Sequence, residues 1–324
     1  MGVSRLRPRA RGMELLKQFE RELDPQQPEQ GPGRPRIIGY GEISTVFTFE
    51  DRALSGRAYK RMAIFEDQSE SEYYLKGYFE YNALLEKAGV HVPDHDGFEL
   101  TDHQGRPVLY LSQSLLNPDA LAHRAIHDLV PSEAVRMFEV IIGRVHDLFS
   151  ANAANPGVQL GLDAQLSNWV LSHAPRDGRL PRRIGLSYID TSLPLIRRDG
   201  QEEVNAELFL RVCPVALSWI LRRFFLDEVL DRYYLVREVL LDLIANLIKE
   251  RAEHLIEPYL AVANRYLERW PEAKPIETGH VRAYYREDAL IWRLFLSFRK
   301  MERFWRLKIR RQPYSLILPG PISR

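Results

Sequence analysis

The apolar pattern changes period part-way along the chain, and that change limits what the chain can fold into. From Ile37 the sequence runs in short alternating segments, IIGYG, STVFTFE and GRAYKRMAIF, with Asp51–Gly56 as the turn between the second and third. Ser71–Ala88 then takes helical spacing through Tyr74, Tyr78, Tyr81, Leu84 and Leu85, and stops at Gly89. VHVPDHDGFELTDHQGRPVLYLSQSLL reads as two more strands around the Asp102–Gly105 turn. Residues 36–116 are therefore expected to form a small α+β lobe of strands plus one helix. After Asn117-Pro118 the character is helical, with Ser132–Ala151 a long amphipathic helix opened by Ser132 as N-cap. VQLGLDAQLSNWVL and IGLSYIDTS interrupt it as short strand-and-loop segments, and from Glu202 to about Arg311 nearly everything is helical again. Upstream, residues 13–24 form a short helix with Leu15, Leu16, Phe19 and Leu23 on one face. It lies between a basic tail, residues 1–12, and the linker DPQQPEQGPGRPR.

Composition excludes several classes. The 324 residues suit about two domains or one large two-lobed one. With 45% hydrophobic and 27% charged residues, the chain is neither disordered, collagenous nor a coiled-coil rod. Its apolar runs are broken by Arg or Asp well short of a membrane span. The four arginines of the first twelve residues have no apolar stretch behind them, so they are not a secretory signal. The single cysteine, Cys213, makes no internal disulfide and no zinc site by itself, and a reducing cytoplasm is expected. Lys+Arg number 45 and Asp+Glu 44, a formal charge of +1, so no nucleic-acid partner is expected.

Five features carry chemistry, and each also has an ordinary explanation. Gly39-Tyr-Gly41-Glu-Ile-Ser44-Thr-Val46 lets backbone approach a ligand closely, or is a hairpin glycine pair. Lys60 in Ala58-Tyr-Lys60 reads alone as an edge-strand lysine, and Glu80 as a solvated helix acid. Asp163-Ala-Gln-Leu-Ser-Asn168 sets two polar residues in an apolar segment, and is equally a turn capped by Asp and Asn. Asp190 follows the strand LSYI and enters a Thr-Ser loop, where it could be a cap.

In this order and at these intervals, the five resemble the protein-kinase-like fold. The resemblance implies a small antiparallel-sheet N-lobe with one helix, here residues 36–116, and a large, mostly helical C-lobe, residues 117–324. Residues 1–35 would form the tail, short helix and linker. The glycine loop, with Ser44 at its third glycine position, resembles the family's nucleotide-covering loop. Lys60, 14 residues after Val46, resembles the lysine that touches the phosphates, and Glu80 its helix partner. Asp163 and Asn168 match the D-x-x-x-x-N catalytic loop, and Asp190 the metal-binding aspartate. GVHVP after the helix, Gln165 in place of the protein-kinase lysine, and no Ala-Pro-Glu after Asp190 make the branch similar to aminoglycoside and choline phosphotransferases. Two departures stand out: Gly161 replaces the histidine two residues before the catalytic Asp, and Thr191-Ser192 replaces Phe-Gly.

What the resemblance implies is ATP- and Mg²⁺-dependent phosphoryl transfer to a hydroxyl of a small molecule: a sugar, aminoglycoside, amino alcohol or natural-product intermediate. Asp163 would accept the hydroxyl proton, with Lys60 and Glu80 beside it in the catalytic set. Gly39, Gly41, Ser44, Val46, Ala58 and Lys60 would hold the nucleotide, and Asn168 and Asp190 the metal. The alternatives are a pseudokinase that binds a nucleotide or partner without chemistry, a kinase for peptide Ser/Thr, or a helical interaction protein with an unrelated β lobe.

Other features are weighed as ordinary. The pairs His91/His95 and His123/His127 have metal-ligand spacing without a third ligand. Ser114, Ser167 and Ser172 have no G-x-S-x-G setting. Helices between Val204 and Lys249 would shape the acceptor pocket, with Arg197, Arg198, Arg222 and Arg223 available to an anionic acceptor. Val281–Arg311 carries ten Lys+Arg against three acids, interleaved with Trp292, Phe295, Phe298, Phe304 and Trp305. It is expected to pack its aromatics on the large lobe, the other reading being weak contact with an anionic membrane surface.

Overall fold

The computed structural model describes residues 8, 10–41, 44–205, 208, 230–310 and 317. Expectations attached to residues 1–7, to Glu42 and Ile43 of the glycine loop, and to Cys213, Arg222 and Arg223 lie outside the described residues, as does most of the stretch 206–229 expected to shape an acceptor pocket.

Helix α1 (Ala10–Glu22) begins three residues before the predicted start. Ala10–Gly12 is therefore helical rather than tail. Gly12 packs so closely that a Cβ there would lie 2.7 Å from the Ala53 carbonyl oxygen. Five strands follow: β1 (Pro35–Tyr40), β2 (Thr45–Phe49), β3 (Arg57–Met62), β4 (His95–Thr101) and β5 (Pro107–Ser114). They form one antiparallel sheet in the order β1-β2-β3-β5-β4. Helix α2 (Gln68–Lys87) lies between β3 and β4 in sequence. Asp67 caps it by accepting from the Glu70 N–H at 3.0 Å, and Gly89, at φ +83°, ends it.

Strand alternation assigns β3 two faces. Tyr59 faces the side covered by α1, where Leu16 and Phe19 pack with Phe47, Phe49, Phe98 and Tyr110. The Phe19 ring meets Phe47 and Phe49 edge-on at 5.2 and 5.1 Å. Arg61 shares this face and is buried against Glu20 of α1, with Nε and Nη2 each 2.7 Å from a carboxylate oxygen. Tyr110 Oη donates to the same carboxylate at 2.6 Å. The short helix therefore docks on the sheet, rather than standing apart with the linker. Met62, on the opposite face, packs with Tyr74 and Tyr78 of α2, and Lys60 points to that side.

The second lobe is helical. Helices α3 (Ala122–Asp128), α4 (Pro131–Ala154), α5 (Val236–Lys249), α6 (Ile256–Leu267) and α7 (Thr278–Phe304) surround a core in which Phe138 stacks on Tyr259 at 3.7 Å. Ser132 is not the N-cap of α4. Pro131 takes the first helical position, which makes Val130 the cap, with no side-chain bond. Short strands β6 (Val158–Leu160), β7 (Trp169–Leu171), β8 (Leu186–Tyr188), β9 (Ile196–Arg198) and β10 (Gln201–Glu202) pair as β7-β8 and β10-β9-β6. Tyr81 and Leu85 of α2 are buried in the helical lobe's core, so α2 belongs to both lobes. The molecule is α+β, with an antiparallel-sheet lobe and a mostly helical lobe, as expected.

Removing one partner of a buried ion pair leaves the other desolvated and unpaired. Glu20→Ala is expected to lower the unfolding free energy by about 3–5 kcal/mol in urea titration, and Glu20→Leu with Arg61→Met to recover most of it. An unchanged urea midpoint in the single variant would show that α1 does not depend on the pair.

Candidate functional site

The site lies where β3 faces the loops after β6 and β8. Lys60 Nζ is 2.8 Å from Asp190 Oδ1 and 2.6 Å from Ser192 Oγ, joining the lobes across 130 residues of sequence. Ser192 Oγ also donates to Asp190 Oδ1 at 3.1 Å. Burial would raise the Asp190 carboxyl, but the Lys60 charge and the hydrogen bonds from Lys60 and Ser192 outweigh it and hold it below the usual range. The residues standing where Phe-Gly was expected have work of their own. The buried Thr191 Oγ1 receives Gln113 Nε2 of β5 at 3.1 Å, and the Ser192 carbonyl receives Tyr74 Oη of α2 at 2.7 Å.

Val46 and Lys60 are register partners on β2 and β3, and Ala58 is two residues from Lys60 on the same face. Where β1 passes to β2 the Gly41 N–H donates to the Ser44 carbonyl at 2.9 Å, with Gly39 opposite Val46. A Cβ on Gly41 would come 2.6 Å from Ser44 Oγ.

Glu80 is not brought to Lys60. It ion-pairs with Arg198 of β9, whose Nε is also 3.1 Å from Glu203 Oε1. Glu80 lines a separate cleft of about 410 Å³ with Tyr73, Gly77, Pro194 and Leu208. Its predicted partnership with Lys60 is replaced by the Asp190–Ser192 pair, because β9 sets a guanidinium beside α2.

The Asp163–Asn168 segment braces itself. The Gln165 N–H donates to Asp163 Oδ1 at 3.2 Å, Asn168 Nδ2 to the Asp163 carbonyl at 3.0 Å, and Trp169 Nε1 to the Ala164 carbonyl at 3.1 Å. The Ile189 N–H donates to the Asn168 carbonyl at 2.9 Å, which seats Asn168 beside the Asp190 loop. Dense packing pushes the Asp163 carboxyl up to about 8, with the Asp242 and Asp190 charges adding to it.

Asp242, on α5, escaped the sequence reading. It accepts from Gln165 Nε2 at 3.2 Å and from Asn246 Nδ2 at 3.1 Å, and burial raises its carboxyl against the pull of Arg232. Arg232 in turn donates to Tyr284 Oη of α7 at 3.1 Å and lies 3.8 Å from Asp288. The available signal was Asp242 and Asn246 four apart in the otherwise apolar run Val239–Ile248.

Gly161 has a steric cause. A Cβ there would lie 3.0 Å from Leu195 Cβ, 3.1 Å from Tyr234 Cζ and 3.2 Å from Tyr233 Cβ. Its carbonyl accepts Tyr81 Oη at 2.8 Å, and the next N–H, of Leu162, donates to the Tyr233 carbonyl at 2.9 Å. Tyr234 is itself fixed, its hydroxyl donating to Glu202 at 2.8 Å and its ring lying under Arg197 at 3.9 Å. The space a histidine would need is filled by these tyrosines.

The family to which this geometry belongs is recognisable from the sequence as a whole. A model described as "Family of unknown function (DUF6206)" matches residues 35–303. The chain belongs to that family. No curated protein matches it. Among solved structures, "WaaP in complex with acyl carrier protein" aligns at 16% identity and a TM-score of 0.33, over 68% of this chain and 88% of that one. The DUF6206 match spans both lobes and every residue of the site, but not α1.

The oxygens suited to a hard divalent ion are the Asn168 side-chain carbonyl and the Asp190 carboxylate. Among the described residues no group of three or more His, Cys, Asp or Glu could hold a metal, the histidine pairs included. An ion here would take two protein ligands and complete its shell with water and phosphate, which is the habit of Mg²⁺.

Two outcomes follow. Gly161→Ala is expected to cost about 1–3 kcal/mol in denaturant unfolding through overpacking against Tyr233 and Tyr234, and no loss would show that this segment yields freely. Because the folded-state pKa of Asp163 is raised, its contribution to stability is complete below about pH 4 and is lost as pH rises through about 8. Wild type should therefore lose thermal stability relative to Asp163→Asn between about pH 5 and about pH 9. Parallel melting curves would mean that Asp163 is ionised throughout.

Proposed function

We propose that this protein is an ATP- and Mg²⁺-dependent phosphotransferase acting on a hydroxyl of a small molecule, of the aminoglycoside- and choline-phosphotransferase type. The observation that carries the reading is the Lys60–Asp190 contact across the lobes, on the sheet face shared with Val46 and Ala58 and beside the Asp163–Asn168 loop. Nucleotide would enter between Val46 and Ala58, with the amides of the β1–β2 hairpin over its phosphates. Lys60 would move from its carboxylate partner to the phosphate oxygens. A Mg²⁺ held by Asn168 and Asp190 supplies charge neutralisation on those phosphates.

Asp163 would orient the acceptor hydroxyl and take its proton as the oxygen–phosphorus bond forms and the bond to the ADP oxygen breaks. A carboxyl with a pKa near 8 is ionised more fully as pH rises, so turnover should climb with pH through that range. Gln165 links this carboxylate to Asp242, and Arg232 and Tyr284 bring α5 and α7 to the same wall.

A second reading, a nucleotide- or partner-binding protein without turnover, is favoured by one observation: Glu80 is engaged by Arg198, which leaves Lys60 without a helix carboxylate. Calorimetry and turnover together separate the two. Wild type should bind ATP with Mg²⁺, Asp190→Ala should weaken that binding, and Asp163→Ala should lower turnover on candidate alcohols roughly 10²–10⁴-fold while binding persists. Binding without Mg²⁺-dependent turnover on any alcohol would favour the second reading, and absence of nucleotide binding would overturn the first and leave only the partner-binding form of the second.

A further inference from the structure

Helix α7 has two halves of different character. In its first half Val281 is fully buried, and Tyr284 and Tyr285 pack against the helical lobe's core. Past Asp288 the apolar side chains described turn outward. Leu290, Ile291, Met301, Phe304, Trp305 and Ile309 are each 40–60% exposed. For Phe304 and Trp305 this overturns the expectation that the aromatics pack on the large lobe.

The exposed apolar residues are arranged. Leu290 and Met301 are eleven residues apart, three helical turns, so they share a face. Phe304 and Trp305 stand three and four residues after Met301 on the same side. Ile309 follows on the π-helical turn Trp305–Arg310 that extends α7. The exposed apolar side chains described thus lie along about 28 Å of helix, at about 1.5 Å per residue. Residues 289–311 carry eight Lys+Arg and one acid, Glu302, and Arg293 and Lys308 are exposed.

We propose that the distal half of α7, from Leu290 to Ile309, docks on an anionic lipid surface, lying in the interface with Met301, Phe304 and Trp305 among the acyl chains. Charge decides the occupant. A second copy of this chain would bring two arms of the same strong positive charge together, whereas anionic headgroups neutralise it. Long basic side chains next to an apolar stripe reach headgroups while the stripe sinks below them. No helix among the described residues is long and apolar enough to cross a membrane, so the helix lies on the surface and does not span it. The inference is independent of the phosphotransferase reading, since it rests on residues beyond Asp288 alone.

The test is co-sedimentation of the full chain with vesicles of phosphatidylcholine alone, and of equimolar phosphatidylcholine and phosphatidylglycerol. Binding should be at least about tenfold greater on the anionic vesicles and should fall as salt rises. The triple variant Met301→Glu/Phe304→Glu/Trp305→Glu should bind them no better than neutral vesicles, with thermal unfolding like wild type because all three side chains face solvent. Failure of wild type to bind anionic vesicles would overturn the proposal, as would equal binding by the triple variant. A wild-type dimer that this variant converts to monomer would also overturn it, and would make the stripe an interface between copies.

Discussion

The contact of Lys60 with Asp190 joins the two lobes at the heart of the cleft. Each group is partly buried, and either one alone would be costly to keep charged there. Beside Lys60 the Asp190 carboxyl is held below its usual range, and further bonds secure the pair. Ser192 shares the ammonium, Thr191 ties the loop to β5 through Gln113, and Tyr74 of α2 holds the Ser192 carbonyl. Three elements of the β lobe thus reach the Asp190–Ser192 loop of the other lobe. The strand alternation that buries Tyr59 and Arg61 under α1 is what turns Lys60 toward it.

Around this contact three aspartates experience different surroundings. Asp190 is held low by its ammonium, Asp163 is driven up by packing and by its two acidic neighbours, and Asp242 is raised by burial within α5. Environment alone separates them, since the three side chains are chemically identical. Gln165 bridges Asp163 and Asp242, its backbone N–H donating to the first carboxylate and its side-chain amide to the second.

Much of this was legible in the sequence. The strands of the β lobe and α2 with its stop at Gly89 follow from local pattern and turn chemistry, and Lys60, Asp163, Asn168 and Asp190 were picked out through the resemblance to the protein-kinase-like fold. What could not be read depends on distant partners. Glu80 looks like any helix acid, and its counter-ion Arg198 lies 118 residues away on a strand three residues long. Glu20 reads as a solvent-facing carboxylate until α1 docks and sets it on Arg61. Asp242 was visible as a polar intrusion in an apolar helix, but nothing local says that it faces the Asp163 loop. At Ser132 the error was local, since Pro131 already claims the first helical position. Phe304 and Trp305 show a different limit: an amphipathic pattern gives the face, and only the packed structure says what lies opposite it.

Gly161 bears on how such a chain can change over generations. The volume around its α-carbon belongs to Leu195, Tyr233 and Tyr234, and Tyr234 is held in turn by Glu202 and Arg197. A histidine at 161 is not one substitution away in any useful sense, because the intermediate with both tyrosines in place is sterically burdened. The tyrosines would have to shrink first, leaving a void beneath the loop. Introducing a histidine therefore passes through a less stable variant whichever step comes first, so Gly161 and the two tyrosines constrain one another across more than seventy positions of sequence.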